Sequence, residues 1–226
     1  MILHNFAVIE GCDGSGTTTQ IKLLKKKYEN LLNPAKPTDV FAAEAGAAYM
    51  ESFFLTGEPT QGPVGILIRQ ILKGEISVEK DTLARLFAAD RGEHLYGLEG
   101  IIARCKRGEL VVSDRYTPSS LVYQGLECGI KLPKMLNAAF PHPELLVYID
   151  LDSEMAMGRI EKREGKDEIY DRLEFQARVR SAYLKLLPWY KESGVNVICL
   201  DGAKKPSELA DEVWSAVCEM PIMKKK

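Results

Sequence analysis

Short apolar runs alternate along the chain with stretches in which apolar residues recur at helical spacing. Residues 6–9, Phe-Ala-Val-Ile, form the first run, and residues 20–24 show the first helical spacing. Further strand-like runs cover 110–112, 145–151 and 195–200, with 52–55 as another candidate, and helical patterns cover 64–72, 78–107, 173–191 and the segment that Pro206 begins. Strands separated by helices predict an α/β fold, with a parallel sheet of about five strands and helices on both faces.

Residues 30–56 are the least regular part of the chain. Asn33-Pro34 and Lys36-Pro37 indicate turns, and residues 42–48 are rich in small side chains. We interpret 30–56 as an irregular insertion. The chain of 226 residues is long enough to bury a sizeable core, so residues 1–226 are predicted to form a single domain.

A glycine-rich stretch, Gly11-Cys12-Asp13-Gly14-Ser15-Gly16-Thr17-Thr18, connects the first predicted strand to the first predicted helix. Glycines allow a tight turn whose backbone N–H groups converge on an anion, and the helix dipole adds to the attraction. The spacing fits the phosphate-loop pattern G-x-x-x-x-G-K-[ST], with Thr18 in the hydroxyl position that binds magnesium and Thr17 in place of the lysine. For this stretch alone, a strand–helix connection without a ligand is the alternative.

Composition narrows the class of protein. The formal net charge is −2, so no overall basic field suggests a nucleic acid as the partner. None of the five cysteines forms a C-x-x-C pair, which argues against a zinc site or a disulfide framework and agrees with a reducing cytoplasm. No apolar run approaches the length of about 18 residues that a membrane span needs. We expect a cytoplasmic protein with small-molecule partners.

Two polar residues follow the predicted strand 110–112, where ligands of a parallel sheet bind. Asp114 is placed as the acidic partner of a magnesium ion; a carboxylate that caps the next helix is the alternative. Arg115 has a planar fork that suits a phosphate, with an ion pair to a neighbouring residue as its alternative.

Two helical faces combine aromatic and polar side chains. Phe87 and Arg91 are four residues apart, with Asp90 and His94 close to the same face. An aromatic ring and an arginine can together hold a flat base, although core packing is the alternative for Phe87 alone. The second face carries Ser119, Ser120 and Tyr123.

Four motifs together resemble those of the thymidylate kinase family. Residues 10–20, EGCDGSGTTTQ, resemble the family's E-G-x-D-G-x-G-K-T-T-Q, and 86–94, LFAADRGEH, resemble its F-A-A-D-R-x-E-H helix. Residues 113–125 resemble its D-R-Y-x-x-S-x-x-A-Y-Q-G segment, and Glu58-Pro59-Thr60 with Ile68-Arg69 resembles its E-P-G/T and I-R elements. The match runs in the family's order from about residue 5 to the C-terminal helix, so it implies a P-loop kinase fold.

The resemblance implies an enzyme that phosphorylates dTMP to dTDP with ATP and Mg²⁺. Asp13 would contact and orient the 3′-hydroxyl, Phe87 would stack on thymine, and Arg91 would bond a base carbonyl. Arg115 would hold the acceptor phosphate. The other implied members of the acceptor site are Arg69, which would assist Arg115; Tyr123, which would exclude a 2′-hydroxyl; Ser120 at the base edge; and Pro59 and Ser119.

On the donor side, the resemblance implies that Mg²⁺ binds to Thr18 and Asp114. Arg159 and Arg163, on one helical face, would be lid arginines that stabilise the transferring phosphoryl group, within a lid at about residues 159–172. A homodimer through the long helices is also implied. The implied ATP-binding residues are Gly11, Cys12, Asp13, Gly14, Ser15, Gly16, Thr17, Thr18 and Thr19.

The chain departs from the family pattern at three positions. A threonine hydroxyl at position 17 cannot supply the lysine's positive charge, and Gly14 and Gly57 stand where the family often has an arginine. Lid residues are the candidates for compensation, namely Arg159, Lys162, Arg163 and Lys166. Two alternatives therefore stay open: a kinase for another deoxynucleotide such as dUMP, and a nucleotide-binding protein whose catalysis is impaired by Thr17.

Overall fold

The computed structural model describes residues 1–32, 53–162, 169–170 and 172–224. Its centre is a parallel sheet in the order β2-β3-β1-β4-β5, which confirms the predicted α/β class and strand number. The strands are β1 (Ile2–Gly11), β2 (Phe53–Gly57), β3 (Leu110–Asp114), β4 (His142–Asp150) and β5 (Asn196–Asp201).

Helices connect the strands and cover both faces of the sheet. Pro206 occupies the first turn of the last long helix, where its missing N–H costs nothing. The helices are α1 (Thr17–Leu32), α2 (Pro63–Leu72), α3 (Lys80–Tyr96), α4 (Ile101–Lys106), α5 (Thr117–Cys128), α6 (Lys131–Asn137), α7 (Ser153–Ile160), α8 (Leu173–Glu192) and α9 (Pro206–Cys218), followed by a 3₁₀ turn (Pro221–Lys224).

The core lies on both sides of the sheet because alternate residues of a strand point to opposite faces. On β1, Phe6 and Val8 join the cluster beneath α4, α5 and α8, whereas Ala7 and Ile9 join the cluster beneath α1 and α9. All four side chains are buried, as a strand covered on both faces requires. The apolar run at 6–9 therefore forms the centre of the fold.

The prediction of one long helix over 78–107 is wrong, because α3 ends at Tyr96 and α4 begins at Ile101. Gly97 and Gly100 adopt extended backbone conformations between them, and the Gly100 N–H donates to the Gly97 carbonyl at 2.9 Å. A Cβ atom at Gly100 would lie 2.7 Å from the Leu95 carbonyl oxygen. Apolar periodicity continues across this tight turn, although the helix does not.

The strand candidate at 52–55 is confirmed as β2, which forms one edge of the sheet. The bounds of the irregular insertion predicted at 30–56 are too wide, because α1 continues to Leu32 and β2 begins at Phe53. The rest of that segment lies outside the described residues, as do residues 163–168 and 171 of the predicted lid. In the part of the chain that the structure describes, no helix combines the length and apolar character needed to cross a membrane.

The carboxyl ends of three strands meet at one edge of the sheet. Ile9 of β1 lies in register with Asp114 of β3, and Gly57 of β2 also pairs with Asp114. The glycine-rich loop follows β1 at this same edge. The topology thus brings the chemistry-bearing residues of three strands together, as expected for ligand sites of parallel sheets.

Candidate active site

The loop between β1 and α1 has the backbone shape of an anion cradle. Gly14 and Gly16 have φ values of 81° and 101°, which favour glycine, and the Ser15 N–H donates to the Cys12 carbonyl at 3.1 Å. A Cβ atom at Gly14 would overlap the carbonyl oxygen of Ala156 on α7. Both glycines are thus required by the shape of the loop.

Thr17 is the first residue of α1 and is 5% exposed. Arg159 is the basic residue of α7, and it lies beside the loop. Its guanidinium donates to the Gly202 carbonyl at 2.9 Å and lies 3.5 Å from the carbonyls of Gly14 and Ser15. Lys22 of α1 is exposed and lies outside the cleft. Two other candidates for compensation, Arg163 and Lys166, lie outside the described residues.

Thr18 and Asp114 meet at the ends of α1 and β3. The Thr18 hydroxyl donates to Asp114 Oδ2 at 2.7 Å. Asp114 Oδ1 is buried and has no hydrogen-bond partner among the described residues, so one carboxylate oxygen is free to bind a ligand. A hydroxyl and a carboxylate beside a phosphate cradle are the oxygen donors that Mg²⁺ takes at nucleotide sites. These two residues therefore fit the predicted metal position.

Asp13 and Arg115 form an ion pair beside the loop, with Arg115 Nη2 2.6 Å from Asp13 Oδ1. Arg115 Nη1 donates to the Gly11 carbonyl at 2.9 Å and to the Ser119 hydroxyl at 3.2 Å. The Asp13 N–H donates to the Tyr123 hydroxyl at 3.1 Å. Site residues of the loop, β3 and α5, each predicted on its own, thus form one connected group.

Gln176 of α8 completes this group. Its Nε2 donates to Asp13 Oδ2 at 3.0 Å, and its Oε1 accepts the Asp13 N–H at 3.1 Å. Each oxygen of the Asp13 carboxylate therefore has its own donor, Arg115 on one side and Gln176 on the other.

Glu10 lies beneath the loop and is completely buried. Its carboxylate accepts from the Tyr116 N–H at 2.8 Å, the Ser119 hydroxyl at 2.7 Å and the Tyr183 hydroxyl at 2.8 Å. Burial raises the pKa of Glu10 to about 7, although the positive charge of Arg115 and these hydrogen bonds oppose the shift. The carboxyl group therefore gains a proton on folding at mildly acidic pH.

The substitution Glu10→Gln should remove one contribution to the pH dependence of stability. The folded protein holds a proton that the unfolded chain releases between the ordinary pKa of 4.5 and about 7. The stabilisation from this group is therefore complete below pH 4.5 and is lost as the pH rises to about 7, with a slope of at most about 1.4 kcal/mol per pH unit. Thermal denaturation of both proteins across this window measures the effect. A difference in Tm that stays constant with pH would contradict the assignment.

The polar face of α3 holds the segment that follows β2. Asp90 accepts from the Thr60 N–H at 2.8 Å and from the Thr60 hydroxyl at 2.6 Å. One turn later, a His94 ring nitrogen lies 2.7 Å from the Thr56 hydroxyl. These contacts fix residues 56–60 as one wall of the cleft. Asp90 and His94, which the sequence placed near the Phe87–Arg91 face, thus support the wall from behind.

Arg91 is 1% exposed and forms a buried ion pair. Its Nε and Nη2 atoms donate to Glu58 Oε2 at 2.9 and 2.6 Å, Nη2 also donates to Ser120 Oγ at 3.0 Å, and Nη1 donates to Asn137 Oδ1. Phe87 lines the cleft one turn earlier, as its spacing predicted. Ser120 lies behind the guanidinium, so it contacts Arg91 rather than lining the cleft.

Arg69 of α2 reaches the same wall from the other side. Its Nη2 donates to the Pro59 carbonyl, and its Nε is buried without a hydrogen-bond partner among the described residues. Arg69 and Pro59 both line the cleft. A buried, unpaired donor on an arginine suits an anion that enters from the cleft.

A single cleft of about 1000 Å³ joins these groups at the carboxyl ends of the strands. This volume lies at the upper end of the range for ligand pockets, about 300–1000 Å³. Of the predicted site residues, Gly11, Cys12 and Ser120 lie behind the wall of the cleft, and Arg163 falls outside the described residues. The others line it: Asp13, Gly14, Ser15, Gly16, Thr17, Thr18, Thr19, Pro59, Arg69, Phe87, Arg91, Asp114, Arg115, Ser119, Tyr123 and Arg159.

Several residues that the structure brings into the site have no role predicted from the sequence. Gln176 had a detectable signal, because it is a polar residue within the buried stripe of α8 that includes Val179 and Tyr183. The partners of Arg91 had none, since Glu58 and Asn137 are distant in sequence. The residues without a predicted role are Glu10, Glu58, Gln124, Asn137, Tyr170 and Gln176.

Comparison with known proteins gives one family. The family model described as thymidylate kinase matches residues 41–213. The chain is 39% identical over 182 residues to a putative thymidylate kinase of Treponema pallidum, covering 80% of this chain and 78% of the relative. It is also 39% identical over 220 residues to a putative thymidylate kinase of Aeropyrum pernix, covering 92% and 95%. A solved thymidylate kinase of Candida albicans has the same fold, with a TM-score of 0.71 at 23% identity over 98% of this chain and 94% of that chain.

Proposed function

This chain belongs to the thymidylate kinase family, and we propose that it transfers the γ-phosphoryl group of ATP to dTMP, giving dTDP. The observation that carries the proposal is the position of Asp13. Its backbone belongs to the phosphate loop, and its carboxylate is paired with Arg115 on the acceptor side. One residue therefore joins the two halves of a single cleft.

The donor half of the site is the loop with its adjacent helices. The backbone N–H groups of Gly14 and of residues 16–18, at the amino end of α1, would bind the phosphates of ATP. Thr18 and Asp114 would hold Mg²⁺, which supplies charge neutralisation for the β- and γ-phosphates when it is bound. Arg159 lies beside the loop carbonyls and would contact the donor nucleotide, with Arg163 as the second arginine of the lid.

The acceptor half extends from Arg115 to α3. Arg115 and Arg69 would bind the acceptor phosphate, because both arginines line the cleft. Phe87 offers a flat apolar surface for thymine, and Arg91 lies on the same helical face for contact with the base edge. The remaining residues proposed for this half are Pro59, Ser119 and Tyr123. Ser120 would support it from behind, because its hydroxyl accepts from Arg91.

The chemistry that these residues support is positioning together with charge stabilisation. Phosphoryl transfer needs little covalent work from the protein, so catalysis depends on holding the attacking oxygen in line and neutralising the transferring group. Asp13 would orient the acceptor through the deoxyribose 3′-hydroxyl, while Arg115 neutralises its phosphate.

The acceptor specificity gives a direct test of this function. A coupled ADP-release assay with ATP, magnesium and a panel of nucleoside monophosphates should show higher kcat/KM for dTMP than for UMP and CMP, by about tenfold or more. The physical reason is the buried Tyr123 hydroxyl beside Asp13, against which the 2′-hydroxyl of a ribose would be crowded. A preference for dUMP would change the acceptor but keep the kinase class. Equal use of ribose and deoxyribose forms would contradict the assignment.

We also propose that residues 1–226 form one domain and that the protein acts in the cytoplasm. The family resemblance further implies a homodimer. Sedimentation of the purified protein at several concentrations would test the dimer.

A further inference from the structure

Gln176 is a buried amide whose hydrogen-bonding groups are all engaged. Its side chain is 0% exposed, although it lies on the otherwise apolar face of α8. One Nε2 hydrogen is donated to Asp13 Oδ2 and the other to the Tyr170 carbonyl, both at 3.0 Å. Oε1 accepts the Asp13 N–H at 3.1 Å. A buried amide is tolerated only with such partners, so its position is well defined.

The orientation of the Gln176 amide is determined by these partners. A flipped amide would point its oxygen at the Asp13 carboxylate and the Tyr170 carbonyl, and its NH₂ group at the Asp13 N–H. All three contacts would then be repulsive. The same side chain therefore fixes the backbone and the carboxylate of Asp13 together.

Tyr170, the second partner of Gln176, is itself firmly held. Its ring stacks on Phe175 at a centroid distance of 5.0 Å and packs against Tyr123 at 5.3 Å. Its hydroxyl donates to Glu127 at 3.1 Å. The Tyr170 carbonyl is thus a fixed reference point on the wall of the cleft, from which Gln176 reaches to Asp13.

We propose that Gln176 is a positioning residue for phosphoryl transfer, which holds the Asp13 carboxylate at the angle needed to orient the 3′-hydroxyl of the acceptor nucleotide. This inference rests on the proposed function, because it assumes that Asp13 contacts the acceptor. Arg115 alone holds only one carboxylate oxygen, so the carboxylate could turn about that contact. The second contact from Gln176 prevents this rotation.

The substitution Gln176→Met keeps the length of the side chain and removes both donors. It should lower kcat/KM for dTMP by about tenfold or more, because an acceptor nucleotide that is displaced from the in-line geometry reacts more slowly. The KM for ATP should change by less than about threefold, since Gln176 contacts the phosphate loop only at Asp13, whose N–H also has the Tyr123 hydroxyl as an acceptor. In an Asp13→Asn background the same substitution should cost less than about threefold, because the carboxylate that it positions is already absent.

Two further variants separate positioning from stability. Tyr190→Phe removes a buried hydrogen bond between the same helix and Thr117, 3.0 Å long, outside the cleft. It should lower Tm but leave kcat/KM for dTMP within about twofold. Gln176→Glu retains an acceptor for the Asp13 N–H and places a second carboxylate against Asp13. It should lose at least as much activity as Gln176→Met, and it replaces that variant if the methionine protein does not fold.

Calorimetric binding of dTMP provides a readout that needs no turnover. If the wild-type protein binds dTMP but does not phosphorylate it, the proposed function fails. The Gln176 inference is then judged by the Kd for dTMP of the wild type, Gln176→Met, Asp13→Asn and the double variant. If dTMP does not bind, the panel nucleotide that binds most tightly takes its place. The inference is overturned if Gln176→Met lowers kcat/KM by the same factor in the wild-type and Asp13→Asn backgrounds. It is also overturned if Gln176→Met has no effect in the wild-type background.

Discussion

Alanine at position 115 should lower kcat/KM for dTMP by about a hundredfold or more, with the affinity for ATP changed much less. The Arg115 guanidinium contacts Asp13, the Gly11 carbonyl and the Ser119 hydroxyl, and it faces the cleft. Its loss would leave the acceptor phosphate without a bidentate partner and Asp13 without its counter-charge. The backbone at 115 has a φ of 70°, which alanine tolerates no better, so relief of strain does not offset the loss.

Steady-state kinetics with dTMP varied at saturating ATP would measure this effect, together with calorimetric binding of ATP. Arg115→Lys is the matched control, because it keeps the charge and removes the planar fork. Its activity should lie between that of the wild type and that of the alanine variant. If the alanine variant had wild-type kinetics, Arg115 would be only the structural partner of Asp13.

Lysine at position 17 should raise the rate of phosphoryl transfer by about a hundredfold, while ATP binds with similar affinity. The cradle depends on Gly14, Gly16 and the start of α1, all of which remain. The charge on the transferring group shifts during the reaction, so a missing positive charge raises the barrier more than it weakens binding.

Single-turnover rates and ATP binding for both proteins would test this expectation. Thr17→Met is the control, because it extends the side chain without a charge and should give no gain. A lysine variant no faster than the parent would show that another basic side chain already supplies the charge. Arg159→Ala would then identify it: if Arg159 compensates, its removal should cost more activity in the parent than in the lysine variant.

The fold and the phosphate side of the site could be predicted because their signals are local. There are three such signals: the apolar run at 6–9, the glycine spacing and the acidic residue after 110–112. Each of them spans only a few neighbouring positions. A parallel sheet then brings the ends of the strands to one edge, so that Thr18 and Asp114 meet. Spacing alone also placed Phe87 and Arg91 on one face of α3.

The partners of these residues could not be predicted, because they depend on contacts between distant segments. Arg91 is held by Glu58 and Asn137, 33 and 46 positions away. Gln176 lies 163 positions from Asp13. The break between α3 and α4 was missed for another reason. Apolar spacing continues on both sides of Gly97 and Gly100, so the pattern predicted one helix in spite of the two glycines.

The close approach of α7 to Gly14 limits how this enzyme can change. Some family members carry an arginine at the corresponding loop position, which offers an evolutionary route to a second positive charge. Here that route is blocked, because any side chain at position 14 would collide with the backbone of Ala156, and the backbone at 14 has a φ of 81°. The loop or the backbone of α7 would have to shift before an arginine could be accommodated. Thr17 lines the cleft at the start of α1 and is not a glycine in a left-handed conformation, so position 17 is the more direct place to add a positive charge.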